Sequence, residues 1–312
     1  MKVFSLPPHE NWICDRFLQE WSEYNPDIVT ENLDEADVNW VLAGWQWNRI
    51  PEHYLQSKKT VLTVHHIVPE KFNEQKRGEF LFRDRYVDWY HVPCTATKEQ
   101  IREYTDKPVF IQPFWANQHM WYEMNNKSEL REELGLPTDA YIVGSFQRDT
   151  EGHDLISPKL EKGPDQLVDI LERMSNKNAD SKLFVALAGP RRQYVISNLR
   201  RLGIEYKSFD FIEFDTLNKL YNCLDLYIVS SRHEGGPQSI IECGLTKTPI
   251  ISTKVGLAPI VLSECNMYDT PENYESAWQA NKNLELIYNN VMKYSIPDGF
   301  KPFREFFEKI KG

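Results

Sequence analysis

The stretch that decides the reading is Ser230-Ser231-Arg232-His233-Glu234-Gly235-Gly236-Pro237-Gln238-Ser239-Ile240-Ile241-Glu242. It follows an apolar run at 224–229 that reads as a buried strand. After Pro237 the spacing becomes helical, with Ile240, Ile241, Gly244 and Leu245 on one face. The segment is therefore strand, glycine-proline turn, helix. Pro237 suits the first helical turn, where its missing N–H is no loss, so the amides of Gln238 and Ser239 open the helix. Such a start, with free N–H groups and the positive dipole end, accepts an anion. Glu234 and Glu242 bracket it.

Working outward, both flanks alternate strands and helices. Upstream, strands are expected near 2–6, 27–30, 38–43, 60–64, 86–92 and 109–112, with helices at 12–24 and 95–104. After an aperiodic linker at 113–127 and a helix at 128–134 capped at Ser128, a second series begins. Its strands are expected at 140–146, 183–188, 208–211, 224–229 and 249–253. Its helices are expected at 163–176, 191–203 and 217–223, with one long helix at 273–294. This pattern means α/β, two doubly wound parallel sheets with ligand positions outside the strand carboxyl ends. His9, His65 and His66 fall at such ends. The division expected is an N-terminal domain at 1–118, a C-terminal domain at 119–295 and a terminal helix at 296–312 packing back toward the N-terminal domain. No GxGxxG follows any strand, so the dinucleotide fingerprint is missing.

Composition narrows the classes. The chain has 312 residues, 41% of them hydrophobic and 26% charged, as in a soluble globular protein. Its net charge of −10 argues against a general nucleic-acid binder. No apolar run reaches the ~20 residues of a membrane span, and the first residues do not read as a signal peptide, so a cytoplasmic setting is expected. Five cysteines without CxxC spacing suggest neither a disulfide framework nor a zinc site.

Three segments together resemble a known family, the retaining GT-B glycosyltransferases of the GT4-like group (glycosyl transferases group 1). Glu234-Gly-Gly-Pro-Gln-Ser-Ile-Ile-Glu242 is similar to that family's EGxPxxxxE element. Val143-Gly-Ser-Phe-Gln-Arg148 with Glu161-Lys162-Gly163-Pro164-Asp165 is similar to its Arg and Lys-Gly elements. Thr248-Pro249-Ile250-Ile251-Ser252-Thr253-Lys254-Val255-Gly256 is similar to its last strand. The match is close over 110–260 and diffuse before it. It departs where Leu257 and Ala258 replace a second glycine and an acidic residue.

The resemblance implies two Rossmann-like domains facing across a cleft, and transfer of a hexose from a UDP- or GDP-sugar to a hydroxyl acceptor, a saccharide or glycoconjugate. It implies phosphate contacts for Arg148 and Lys162, ribose contacts for Glu242, and sugar contacts for Glu234 with Gly235, Gly236 and Pro237. Gln238 and Ser239 supply the amides, Ile212 the base wall, and His65 the N-domain group near the donor sugar, unless His66 faces inward instead. Growing negative charge on a diphosphate leaving group calls for such fixed cations and amides. No Asp-x-Asp occurs, so no metal or other cofactor is expected. Two rival readings are a catalytically inactive GT-B-like sugar-nucleotide or glycan-binding scaffold subunit and an NDP-sugar epimerase.

Other features are weaker signals. Trp12, Trp45 and Trp47 near loops could stack an acceptor carbohydrate, against the more frequent packing role. Lys71, Lys76, Arg77, Arg83 and Arg85 form a basic island, read first as solvated surface and second as a lipid-phosphate or anionic acceptor contact. Phe303, Phe306, Phe307 and Ile310 share one helical face; packing is the first reading and a peripheral membrane contact the alternative. Oligomeric state is not legible.

Overall fold

A computed structural model describes residues 1–10, 13–177, 182–280 and 283–311. Trp12 lies outside the described residues. The chain divides into two units, residues 1–115 with 296–312, and residues 116–295.

The first unit holds β1 (Val3–Ser5), β2 (Val29–Thr30), β3 (Val38–Val41), β4 (Lys59–Thr63), β5 (Trp89–Val92) and β6 (Val109–Ile111). All pairings are parallel, in the order β2-β1-β3-β4-β5-β6. Alternate residues serve opposite faces: Val38 and Trp40 enter one core layer, Val41 and Leu62 the other. The terminal helix Lys301–Ile310 buries Phe303, Phe306, Phe307 and Ile310 against Trp21, Trp40 and Phe110. That stripe is core, and the helix presents no bare aromatic face to a membrane. Among the described residues no helix is long and apolar enough to cross one.

The second unit holds β7 (Tyr141–Ser145), β8 (Leu183–Ala188), β9 (Glu205–Phe209), β10 (Leu226–Val229), β11 (Ile250–Thr253) and β12 (Met267–Tyr268). Their order, β12-β11-β10-β7-β8-β9, is again wholly parallel. It reverses between β7 and β10, which makes that gap the switch point. Val143, Val185, Leu226 and Ile228 pack on the helices Pro164–Lys177 and Gln193–Leu202, while Ile142, Tyr227 and Val229 pack on Phe214–Cys223 and Gln238–Thr246.

Several sequence expectations are corrected. The helix expected at 128–134 spans Lys127–Glu133, and its N-cap residue Asn126 makes no side-chain cap bond, so Ser128 is not the cap. Arg131 anchors it instead, bonding Cys223 O and Asp225 Oδ2. The expected linker does contain the boundary between the units, after Trp115, but its remainder packs on the second unit: Trp121 is buried against Tyr221, and the amides of Tyr122 and Met124 donate to Asn218 and Asn222. The strand expected at 208–211 is Glu205–Phe209, because alternate polar residues suit this edge, and Phe211 is 86% exposed. The helix expected at 273–294 is two, Tyr274–Ala280 and Leu284–Met292. The basic island contains the unexpected helix Glu74–Asp84, which buries only Phe80 and so lacks a readable apolar stripe.

Candidate active site

The loops leaving β7 and β10 meet at the switch point of the second unit. Gln147, just after β7, donates from Nε2 to Lys162 O at 2.7 Å and to Ser230 Oγ at 3.3 Å. Ser231 Oγ lies 3.1 Å from Gln147 Oε1 and 3.2 Å from Glu234 Oε1, so its one proton serves either acceptor. Lys162 Nζ stands 2.5 Å from Glu234 Oε1, both side chains being largely shielded from solvent. A charge-assisted bond in such a setting is among the stronger single contacts available.

Two glycines make this convergence possible. Gly163 has φ 61°, and a Cβ there would lie 1.8 Å from Ser230 O. Gly256 has φ 52°, and a Cβ there would press to 2.5 Å from Gly235 O and 2.9 Å from Pro237 Cδ. The loop after β11 thus backs the Gly235-Gly236-Pro237 turn, and Thr253 Oγ1 fastens it by donating to Ser231 O at 2.6 Å. On the other side the amides of Arg232 and His233 donate to Glu161 O at 2.9 and 3.1 Å. Arg232 also forks onto Asp165, at 2.7 and 2.5 Å.

Pro237 is the N-cap, not the first helical residue: its ψ of 114° is extended and the helix runs Gln238–Thr246. Gln238 and Ser239 are therefore its first two residues, and their amides have no earlier carbonyl of the helix to bond. Glu242, one turn on, is 7% exposed and accepts a hydrogen bond from Tyr221 Oη at 2.7 Å. It is not a solvated helix glutamate. Burial, and then the Glu242 carboxylate, drive the Tyr221 phenol well above its ordinary value, so it stays a donor. Ile212 is half-buried against this layer of the core, beside the exposed Phe211 and Phe214.

Arg148 is half-buried, next to Gln147. Its other neighbour, Asp149, is buried with Arg192, Nε to Oδ2 3.2 Å. Burial raises the Asp149 carboxyl to about 6 against the opposing pull of Arg192. Asp149 O accepts from Lys159 N, and Asp149 N donates to Arg191 O, so the backbone of the residue after Arg148 is tied down on both sides.

His65 belongs to the first unit, after β4. Its Nε2 donates to Leu42 O at 3.0 Å, and its ring stacks on Phe114 at 5.7 Å. Cys14 Sγ lies 3.7 Å from the same nitrogen. His66 is half-buried next to it.

Of the sequence candidates, the structure joins Lys162 and Glu234 directly and places Arg148, Gln238, Ser239 and Glu242 on elements around them. Gln147 and Ser231 lie inside the quoted stretches without being singled out, and Tyr221 and the Asp149–Arg192 pair fall outside them. Only long-range pairing reveals them.

Residues 155–284 match the family described as glycosyl transferases group 1. The matched segment contains Lys162, Glu234 and Glu242, and so resembles the group 1 glycosyl transferases where the candidate site is built. An uncharacterized glycosyltransferase of Methanocaldococcus jannaschii is 29% identical over 178 residues, 54% of this chain and 43% of that protein. The chain thus spans under half the length of that relative. Among solved structures, Anabaena HepE in complex with UDP is similar at TM-score 0.76 and 15% identity, covering 99% of this chain and all of that one. Sucrose-phosphate synthase of Thermosynechococcus elongatus is similar at 0.66 and 16%, covering 94% and 78%. These likenesses establish the fold, GT-B with two Rossmann-like domains.

Proposed function

We propose that this chain transfers a hexose from a UDP-linked donor to a hydroxyl of a saccharide or glycoconjugate, with retention of configuration. The observation that carries the reading is the Lys162–Glu234 pair at the β7/β10 switch point, bracketed by Arg148 and the start of the Gln238–Thr246 helix. HepE has been solved with UDP, with UDP and glucose, and with UDP-glucose, which supports uridine over guanosine.

Lys162, Arg148 and the Gln238 and Ser239 amides face the diphosphate and stabilise the charge that grows on it as the glycosidic bond breaks. Glu242 holds the ribose hydroxyls, Ile212 walls the base, and Glu234 orients the sugar while keeping Lys162 in place. The reaction needs no bound metal, since these fixed groups supply the positive charge. Displacement occurs on the front face, the departing phosphate oxygen taking the acceptor's proton, so no protein nucleophile forms. UDP release from UDP-glucose, followed on addition of simple saccharides, tests the transfer, and the anomeric proton coupling of the product tests retention. An inverted product would overturn the stereochemical part; the absence of UDP release with every donor and saccharide would overturn the whole.

A further inference from the structure

The first unit has a switch point of its own, between β1 and β3. Ligands of doubly wound sheets seat in the crevice at such a point. There the loops leaving β1 and β3 are bound to each other. Trp45 Nε1 donates to Glu10 Oε1 at 2.7 Å, and Gln46 Nε2 donates to the same oxygen at 2.8 Å and to Pro8 O at 3.1 Å. Arg49 Nη1 donates to Pro7 O at 3.1 Å and to Gln46 Oε1 at 2.6 Å. Asp15 accepts the amides of His9 and Glu10.

This effort fixes an indole that is not buried. Trp45 is 53% exposed, whereas Trp21, Trp40, Trp115 and Trp121 are at most 1% exposed. Packing explains those four. It does not explain a tryptophan whose N–H is pinned while its ring is left in water, where each Å² of bare apolar surface costs about 25 cal/mol. The His65 ring borders the indole at 5.9 Å. Glu10 Oε1 is taken by two donors, and among the described residues Oε2 has no hydrogen-bond partner.

We propose that Trp45 and Glu10 form a saccharide subsite. A pyranose has an apolar C–H face and a rim of hydroxyls. The face lies on the fixed indole, and one hydroxyl donates to Glu10 Oε2. Because the ring and the carboxylate are held by each other, neither loses much freedom on binding. That this saccharide is the acceptor rests on the glycosyl-transfer reading; that a sugar binds here does not.

Saturation-transfer NMR on the full chain with methyl glycosides of glucose, galactose, mannose and N-acetylglucosamine tests it. At least one should receive saturation at the C–H protons of one face. Trp45→Ala should abolish it and Glu10→Gln weaken it about tenfold, roughly one hydrogen bond to a charged group. Trp45→Phe, which keeps a ring, should retain part of it and decides the matter should the alanine variant not fold. Absence of saturation for every glycoside in the wild type, or unchanged binding in both Trp45→Phe and Glu10→Gln, overturns the subsite. Saccharide binding that depends on Trp45 in a protein releasing no UDP would uphold the subsite and refute the transfer reading alone.

Discussion

Lys162 Nζ and Glu234 Oε1 are 2.5 Å apart, although 72 positions separate them in the chain. Their pairing joins the loop before the Pro164–Lys177 helix to the turn after β10, the two walls of the switch point. In the proposed reading this carboxylate holds the lysine in place for the donor's phosphate. Lys162→Ala should lower kcat about 100-fold, the effect of removing one preorganised donor to a developing charge, with a smaller change in KM. Steady-state UDP release measures both. Wild-type kcat in this variant would remove Lys162 from the chemistry.

Glu242 should matter for binding more than for turnover. Glu242→Ala removes the acceptor of the buried Tyr221 hydroxyl and the proposed ribose contact together. Unfolding should be easier by about 1–3 kcal/mol, the cost of a buried polar group left unpaired. UDP affinity should also fall about tenfold, read by calorimetry. Tyr221→Phe isolates the first effect, because it leaves the carboxylate in place. If Tyr221→Phe weakened UDP as much as Glu242→Ala, the ribose role would be wrong.

Gly163→Ala should destabilise the second unit by more than about 2 kcal/mol. The added Cβ meets Ser230 O, and the left-handed backbone adds about 1–2 kcal/mol for any residue with a Cβ. Chemical denaturation measures the loss. An unchanged midpoint would mean the Lys162 loop relaxes freely, contrary to the clamp formed by Gln147.

Asp149 should leave a mark on stability against pH. Unfolded, its carboxyl titrates near the ordinary 3.8; folded, burial raises it to about 6. Between these values the folded chain holds the proton more often. The stabilising contribution is therefore full below about 4, declines as pH rises toward about 6, and is flat above. Asp149→Asn should remove that decline. Melting temperatures of the two proteins, compared from about pH 4 to about pH 7, should diverge on the acid side, where the wild type gains. Parallel curves would contradict the assignment.

The sequence revealed the switch-point end of the second unit because its signals are local. A buried strand, a glycine-proline turn and an amphipathic helix lie within the 230–242 neighbourhood, and Lys162-Gly163 opens a helix with its own stripe. What stayed hidden depends on distance. Gln147 could be any surface glutamine until its amide reaches Lys162 O, and Tyr221 is one core aromatic among several until its hydroxyl meets Glu242. In the first unit the helix Glu74–Asp84 buries a single side chain and so writes no periodicity. Trp45 was suspected from its loop position, but nothing local showed that Glu10 would fix it, 35 positions away.

In the proposed reading the second unit binds the nucleotide of a UDP-linked donor. Thermal unfolding of the full chain with and without UDP tests it most directly. At a hundredfold excess over Kd, binding to the folded state alone should add about 2.7 kcal/mol, seen as a clear rise in Tm. A Tm that UDP at millimolar concentration leaves unmoved would mean that the second unit holds no uridine nucleotide.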